Sequence, residues 1–395
     1  MAAFFRLQPS NFGPMEMLAD WWLNSSQFYR AVFIITLAAL LVQLLLDLVF
    51  VVRIVLWKGH PAVDTHVPVS VVVCVRNEEK HLRELIPALF DQDHPDFEVV
   101  VVDDSSWDET AEILRAFQAM YQRLHVVRLD EDKQRMTGKK FALTVGIKGT
   151  RNPVVVLTDA DCMPQSRQWL SSMSAPFANP ETEVVIGVSP YRKTKGLLNW
   201  LIRYDAAEIA VSYVSMALAK LPYMGVGRNL AYRKDLFFRN SGFKSHLHLA
   251  SGDDDLFISE VATAKNTAVV IHPQNQTLSH PKTTWKAWIH QKRRHFTTAP
   301  HYKLGIKLLL GIRPASFLIL WVGALLLALV HNAFLIAGIA LSLRYVVHLT
   351  TFIAAFRKIG QKDLSPAVPV WEAFITLINP ALWIWNLLAA PRTWK

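Results

Sequence analysis

Cysteine is nearly missing: Cys74 and Cys162 are the only two in 395 residues, too few for a disulfide framework, and each reads as a small buried hydrophobe. Charge is sparse as well. Asp, Glu, Lys and Arg make up 19% of the chain against 52% apolar residues, and the mean hydropathy is +0.21, which sets a purely soluble protein aside. Two glycine-rich phosphate cradles are also lacking. No G-x-G-x-x-G follows the first apolar strand, which counts against a dinucleotide cofactor, and no G-x-x-x-x-G-K-[ST] occurs, which counts against a P-loop. The pattern of a cleavable secretory signal is absent too, because the first apolar stretch starts late and is long.

That stretch, "AVFIITLAALLVQLLLDLVFVVRIVLW" over 31–57, exceeds the roughly 20 residues that cross a hydrocarbon core. It reads as a retained anchor. Further apolar segments run over about 314–330, 332–356 and 368–390. The formal net charge of +10 would point to nucleic acid in a soluble protein, but here many basic residues flank the apolar segments: Arg53, Lys58, Lys303, Lys307, Arg313, Arg357, Lys358 and Lys362. By the positive-inside rule these flanks are cytoplasmic, which argues for membrane lipids as the basic face's partner and against nucleic acid. The expected division is an extracytoplasmic segment 1–30, a transmembrane helix 31–57, a cytoplasmic domain 58–307, and a membrane region 308–395 with two to three helices. Trp-rich "NPALWIWNLLAAPRTWK", with Arg392 and Lys395, leaves open whether the last segment spans or lies in the interface. Asp47 and Arg344 are the evident charges inside the spans, too few to line a transport path.

Between the apolar segments, strand-like and helix-like runs alternate. "VPVSVVVCVRN", "FEVVVVDDSS", "LHVVRLDE" and "NPVVVLTDADC" read as buried strands; "KHLRELIPALFDQ", "DETAEILRAFQAMYQ" and "KKFALTVGIKG" read as the helices that follow. Continuously apolar strands at this spacing predict an α/β, Rossmann-like parallel sheet covered on both faces. Ligands of such sheets sit beyond the carboxyl ends of the strands. The residues there are Arg76, Asn77 and Glu78, then Asp103 and Asp104, then Asp159 and Asp161.

A diphosphate bound without a glycine cradle needs another counter-charge, and a carboxylate-held magnesium or manganese ion supplies one. Asp159 and Asp161, two apart in an extended segment, can converge on such an ion; alternatively they cap a turn. In "VVVVDDSSWDET" one carboxylate can cap the next helix while the other binds a base or ribose. An acceptor hydroxyl also needs a base to take its proton. "SGDDDLFIS" offers Asp253, Asp254 and Asp255, whose local reading is an acidic cap for a helix beginning at "DLFISEVAT". Like charges so close raise the proton affinity of one of them.

"VSVVVCVRNEE", "VVVVDDSSWDET", "TGKKFALTVGI", "LTDADC", "GVGRNLAYRK", "SGDDDLF" and "QKRRH", in this order over about 67–299, resemble the membrane-bound inverting glycosyltransferases of family two, with the GT-A fold. The resemblance implies a nucleotide-activated sugar donor, a divalent metal and a single displacement at the anomeric carbon. Carried over, Asn77, Glu78, Asp103 and Asp104 look like the base and ribose site, Lys139 like a donor contact, and Asp159 with Asp161 like the metal and diphosphate site. Matching Gly252-Asp253-Asp254 to the family's acidic pair makes Asp254 the base, with Asp253 and Asp255 capping or supporting. Gln291 and Arg294 match Q-x-x-R-W, so that Arg294 would bind diphosphate, with Arg293 beside it reading as a substrate contact or as part of a basic membrane-flanking face. His295 stands where that motif has Trp, which argues against chain extension. Asn229 would support the sugar or acceptor, and His280 would touch phosphate or metal, or be structural. The resulting expectation is transfer of one sugar, from a UDP-sugar in the first instance, to a lipid or glycan hydroxyl at the cytoplasmic face of a bacterial inner membrane. The alternatives are a processive polysaccharide synthase and a non-catalytic membrane scaffold.

Overall fold

The computed structural model describes residues 21–23, 25–59, 67–130, 138–249, 251–330 and 333–389. Two compact units are formed, one by Met1–Asp47 with Leu309–Thr350, the other by Leu48–Leu308 with Thr351–Lys395. Most of the expected 1–30 segment, and Arg392 and Lys395, lie outside the described residues.

The second unit is built on a seven-stranded sheet. Its strands are β1 Val69–Val75, β2 Phe97–Asp104, β3 Leu124–Leu129, β4 Val154–Asp159, β6 Val184–Gly187, β7 Leu230–Arg233 and β8 Thr267–Val270, in the order β3-β2-β1-β4-β7-β6-β8. β5 Cys162–Pro164 and β9 Thr277–Ser279 make a separate antiparallel ribbon. Valine runs form these strands because both faces are covered. Val69, Val71, Val73 and Val75 pack in one layer with Leu82, Leu85, Ile86 and Leu89, while Val102 packs in the opposite layer with Ala142. The leucines and isoleucine of the first layer recur at helical spacing along Glu79–Phe90, giving that helix one apolar stripe. Truncating Leu85, fully buried there, would destabilise the fold by about 2–5 kcal/mol.

β1 to β4 pair in parallel, as their sequence predicts, but β7 lies antiparallel to β4, with Leu157 opposite Leu230. The sheet is therefore mixed. A four-residue strand such as β7 carries an apolar pattern but no signal of direction.

Among the described residues, four helices are long and apolar enough to cross a membrane: Gln27–Leu56, Leu304–Ala328, Ala333–Lys358 and Lys362–Leu388. One precedes the sheet in the chain and three follow it. In the first unit a polar cluster joins three of them. Asp47 accepts from Arg313 Nη2 at 2.9 Å and lies 2.8 Å from His348 Nδ1. Gln43 donates to Arg313 O and to Ser316 Oγ, and accepts from Arg344 Nη2 at 3.2 Å. The backbone takes one π-helical turn at Asp47–Val51.

Candidate functional site

The ends of β1 and β2 are tied to each other. Asn77 adopts φ 57° and Ser105 φ 59°, left-handed conformations that cost most residues energy and persist only when neighbours hold them. Here Asn77 N donates to Ser106 Oγ at 2.9 Å, and Asn77 Oδ1 accepts from Trp107 N at 3.0 Å. Asn77 thus braces the two loops, with its side-chain carbonyl already engaged. Asp103 Oδ1 accepts from Ser106 N, while its buried Oδ2 takes no hydrogen bond among the described residues and lies 3.9 Å from Arg128 Nε. Asp104 lies 4.0 Å from Arg76, and Glu78 pairs with His81 Nδ1 at 2.7 Å. Trp107, beside this group, is 82% exposed, unusual for an indole.

β4 delivers Asp159 and, two residues on, Asp161. These carboxylates and the Cys162 thiol bring ligand atoms within 4.8 Å of one another. Burial raises the Cys162 thiol far above its ordinary range, so it stays protonated and donates to Asp161 Oδ1 at 3.2 Å. The available donors are therefore carboxylate oxygens, which suit a hard divalent cation such as magnesium or manganese. Burial and the charge of Asp159 raise the Asp161 carboxyl. Lys139, at the start of the helix Lys139–Gly149, links this pair to the acidic triplet: its Nζ is 2.9 Å from Asp159 Oδ1 and 3.0 Å from Asp253 Oδ2.

The triplet divides three ways. Gly252, at φ 106°, makes the turn before it, and a side chain there would collide with Leu256. Burial would raise the Asp253 carboxyl, but the Lys139 ammonium outweighs it and holds it low. Asp255 accepts from Thr298 Oγ1 and, at 2.7 Å, from Tyr302 Oη. Asp254 Oδ1 accepts from Asp255 N and its Oδ2 from Gly227 N, both at 2.8 Å. The helix cap is thus Asp254 itself rather than its neighbours, because it stands one residue before the helix Asp255–Val261. Burial, then the charges of Asp253 and Asp255, push its carboxyl up to about 7 despite those two donors. Adjacent Lys140 fixes the approach to the triplet, its Nζ donating to the carbonyls of His246, Leu249 and Ser251.

The motif "QKRRH" closes the helix Trp285–His295. Gln291 Nε2 donates to Tyr191 Oη at 3.2 Å, and Arg294 lies within electrostatic reach of Asp253. The surrounding protein and the cations Arg294, Lys292 and Arg228 hold the His295 ring neutral. Lys292 is buried against Asp205 at 2.8 Å.

Two expected substrate contacts are placed elsewhere. Arg293 stacks over Trp385 at 4.0 Å and donates to Asn386 Oδ1 at 2.9 Å, so its guanidinium is committed to the last helix. Helical spacing turns it away from its neighbour Arg294. Asn229 is fully buried, accepts from Trp169 Nε1, and donates to the carbonyls of Val188 and Asn275. It fills the space left by the missing side chain of Gly187 and is a structural pin. His280 follows the end of β9, its N donating to Asp161 O at 3.2 Å and its ring 4.8 Å from that of His81. Arg228, one residue before Asn229, was not legible as a site residue, since nothing in "GVGRN" distinguishes it. The fold brings it within electrostatic reach of Asp161 and Asp159.

The sheet, with carboxylates at the ends of its parallel strands and an Asp-x-Asp after the fourth, has the GT-A fold that the resemblance implies. Residues 70–238 match the model for glycosyl transferase family 2, and this domain is a member of that family. The glycosyltransferase AglE of Haloferax volcanii is 30% identical over 190 residues, 47% of this chain and 58% of that protein. A 4,4'-diaponeurosporenoate glycosyltransferase of Staphylococcus haemolyticus is 30% identical over 128 residues, 32% of this chain and 33% of that protein. The chain thus spans between a third and three fifths of these relatives. A mannosyltransferase of Pyrobaculum calidifontis, solved with GDP-mannose and Mn2+, shares the fold with a TM-score of 0.55 at 22% identity, over 86% of this chain and 99% of that one.

Proposed function

We propose that the protein transfers one sugar from a nucleotide-sugar donor, a UDP-sugar in the first instance, to a hydroxyl of a lipid or glycan acceptor by a single inverting displacement. The observation that carries this reading is the division of labour among the carboxylates. Asp159 and Asp161 offer hard oxygen ligands at a strand end, and Asp254, linked to them through Asp253 and Lys139, has a proton affinity near neutrality. A base that works near pH 7 is what abstraction of a hydroxyl proton requires. A divalent ion held by Asp159 and Asp161 would neutralise the donor's diphosphate. Asp103, Asp104 and Glu78 then receive base and ribose, with Asn77 bracing their loops. Arg294 faces the leaving group, and Gln291 positions Tyr191 beside it.

Four apolar helices, with Arg53, Lys58, Lys303, Lys307, Arg357, Lys358 and Lys362 at the ends of their runs, support an integral membrane protein whose α/β domain faces the cytoplasm. A membrane-embedded acceptor follows from that location. Neutral His295 in place of an indole supports single transfer over chain extension.

The test is a donor screen. Purified protein in detergent is given UDP- or GDP-sugars, Mg2+ or Mn2+, and a lipid extract, and products are read by mass spectrometry. One added sugar on an organic-phase lipid is expected. A polymer in the aqueous phase would establish the processive synthase instead, and no donor consumption under any condition would remove the transferase reading.

A further inference from the structure

Gly227, Arg228 and Asn229 are locked one after another. Gly227 N is held by Asp254 Oδ2 at 2.8 Å, Arg228 O accepts from Thr277 Oγ1 at 2.7 Å, and the Asn229 side chain is pinned by Trp169, Val188 and Asn275. The guanidinium between these anchors lies 4.5 Å over the ring of Tyr191, whose hydroxyl accepts from Gln291. Its Nη1 is buried and makes no hydrogen bond among the described residues, although Asp161 and Asp159 are close enough to act on its charge. A buried guanidinium donor without a hydrogen bond loses its solvation, and the neighbouring protein atoms do not relieve that loss here. A ligand oxygen would.

We propose that Arg228 is a donor-binding residue, which clamps the diphosphate of the nucleotide together with Arg294 and stabilises charge on it as the sugar departs. The inference rests on the function proposed above. Tyr191 fixes the plane of the guanidinium through its ring face, and Gln291 fixes Tyr191, so "GVGRN" and "QKRRH" act on one anion. The bond from the anomeric carbon to the diphosphate oxygen breaks with its electron pair on that oxygen, and Arg228 with Arg294 offsets the added negative charge. Without nucleotide, Arg228 instead serves as a counter-charge to Asp159 and Asp161, in competition with a divalent cation.

This dual position gives Arg228→Met two effects of opposite sign. Mn2+ affinity of the nucleotide-free protein, read from the free-ion signal in electron paramagnetic resonance, should rise several-fold because a repelling charge is gone. Affinity for UDP or GDP at saturating Mn2+, read by calorimetry on the full chain in detergent, should fall at least about tenfold, and Arg228→Lys should restore part of it. Equal weakening of both affinities would overturn the inference by revealing a merely structural residue, and so would unchanged nucleotide affinity. Wild-type protein that binds neither nucleoside diphosphate would overturn the proposed function along with it.

Discussion

Two of the charged clusters among the described residues differ in what opposes their charge. Within the apolar helices, Asp47 is met by Arg313 and His348, and Gln43 by Ser316 and Arg344, so these polar groups have protein partners. At the ends of β1, β2 and β4 and in the acidic triplet, carboxylates outnumber the cations Arg76, Arg128 and Lys139 that lie near them. Asp161 and Asp254 are both raised by burial and by like charges. A cluster whose carboxylate is met by its own cations contributes to holding helices together, and one in which carboxylates raise one another is built for something that arrives later.

Substitutions that remove a carboxylate should separate the two. Asp161→Asn should reduce Mn2+-dependent UDP binding and transfer at least about 100-fold, the upper range for disturbing even an outer-shell group of a metal site. Stability should move the other way. A carboxyl whose folded pKa is raised withholds stability as pH climbs from its ordinary value through the raised one, so the Asn variant should gain melting temperature at about pH 8 and lose that gain only as pH falls to the ordinary carboxylate value of 3.8. A stability loss at both pH values would break the contrast. Asp47→Leu should do the reverse: about 3–5 kcal/mol less stable in detergent, because Arg313 and His348 lose their buried partner, with UDP affinity unchanged. Loss of nucleotide binding at unchanged stability would contradict this.

Smaller effects sharpen the boundary of the site. Asn229→Ala should lower stability by about 1–3 kcal/mol, since it strands the Trp169 donor and two carbonyls, while donor KM rises less than it does in Arg228→Met. Arg293→Ala removes a cation–π contact worth about 0.5–1 kcal/mol and should leave donor KM untouched. A tenfold rise in donor KM in either variant would return that residue to the site.

The sequence made the first four strands and their helices legible because valine runs and apolar stripes carry their own periodicity. Their polar ends were legible for the same reason: Asp103, Asp104, Asp159 and Asp161 stand where an apolar run stops. The direction of β7 was not, and neither were contacts that cross long stretches of chain. Asn229 looks like any loop amide until Gly187 and Trp169 close around it. Arg293 and Arg294 are indistinguishable as letters; the helix Trp285–His295 turns them apart, one toward Trp385 and one toward Asp253. The helix-borne cluster was half visible. Asp47 and Arg344 stand out in apolar runs, but Gln43, Arg313, Ser316 and His348 gain meaning only when three helices bring them together. Within the acidic triplet, adjacency predicted a raised carboxyl; burial raises both Asp254 and Asp255, and the Lys139 ammonium, invisible in the local sequence, holds Asp253 low.

If Asp254 takes the acceptor's proton, the pH profile of transfer must report its carboxyl. With saturating donor and Mn2+, wild-type turnover should fall as pH drops through about 7, because the carboxyl must be ionised to act. Asp254→Asn should bind UDP as the wild type does and lose turnover by about 100- to 10,000-fold at every pH. Undiminished transfer by Asp254→Asn, with the same inflection near neutrality, would take the role of base away from Asp254.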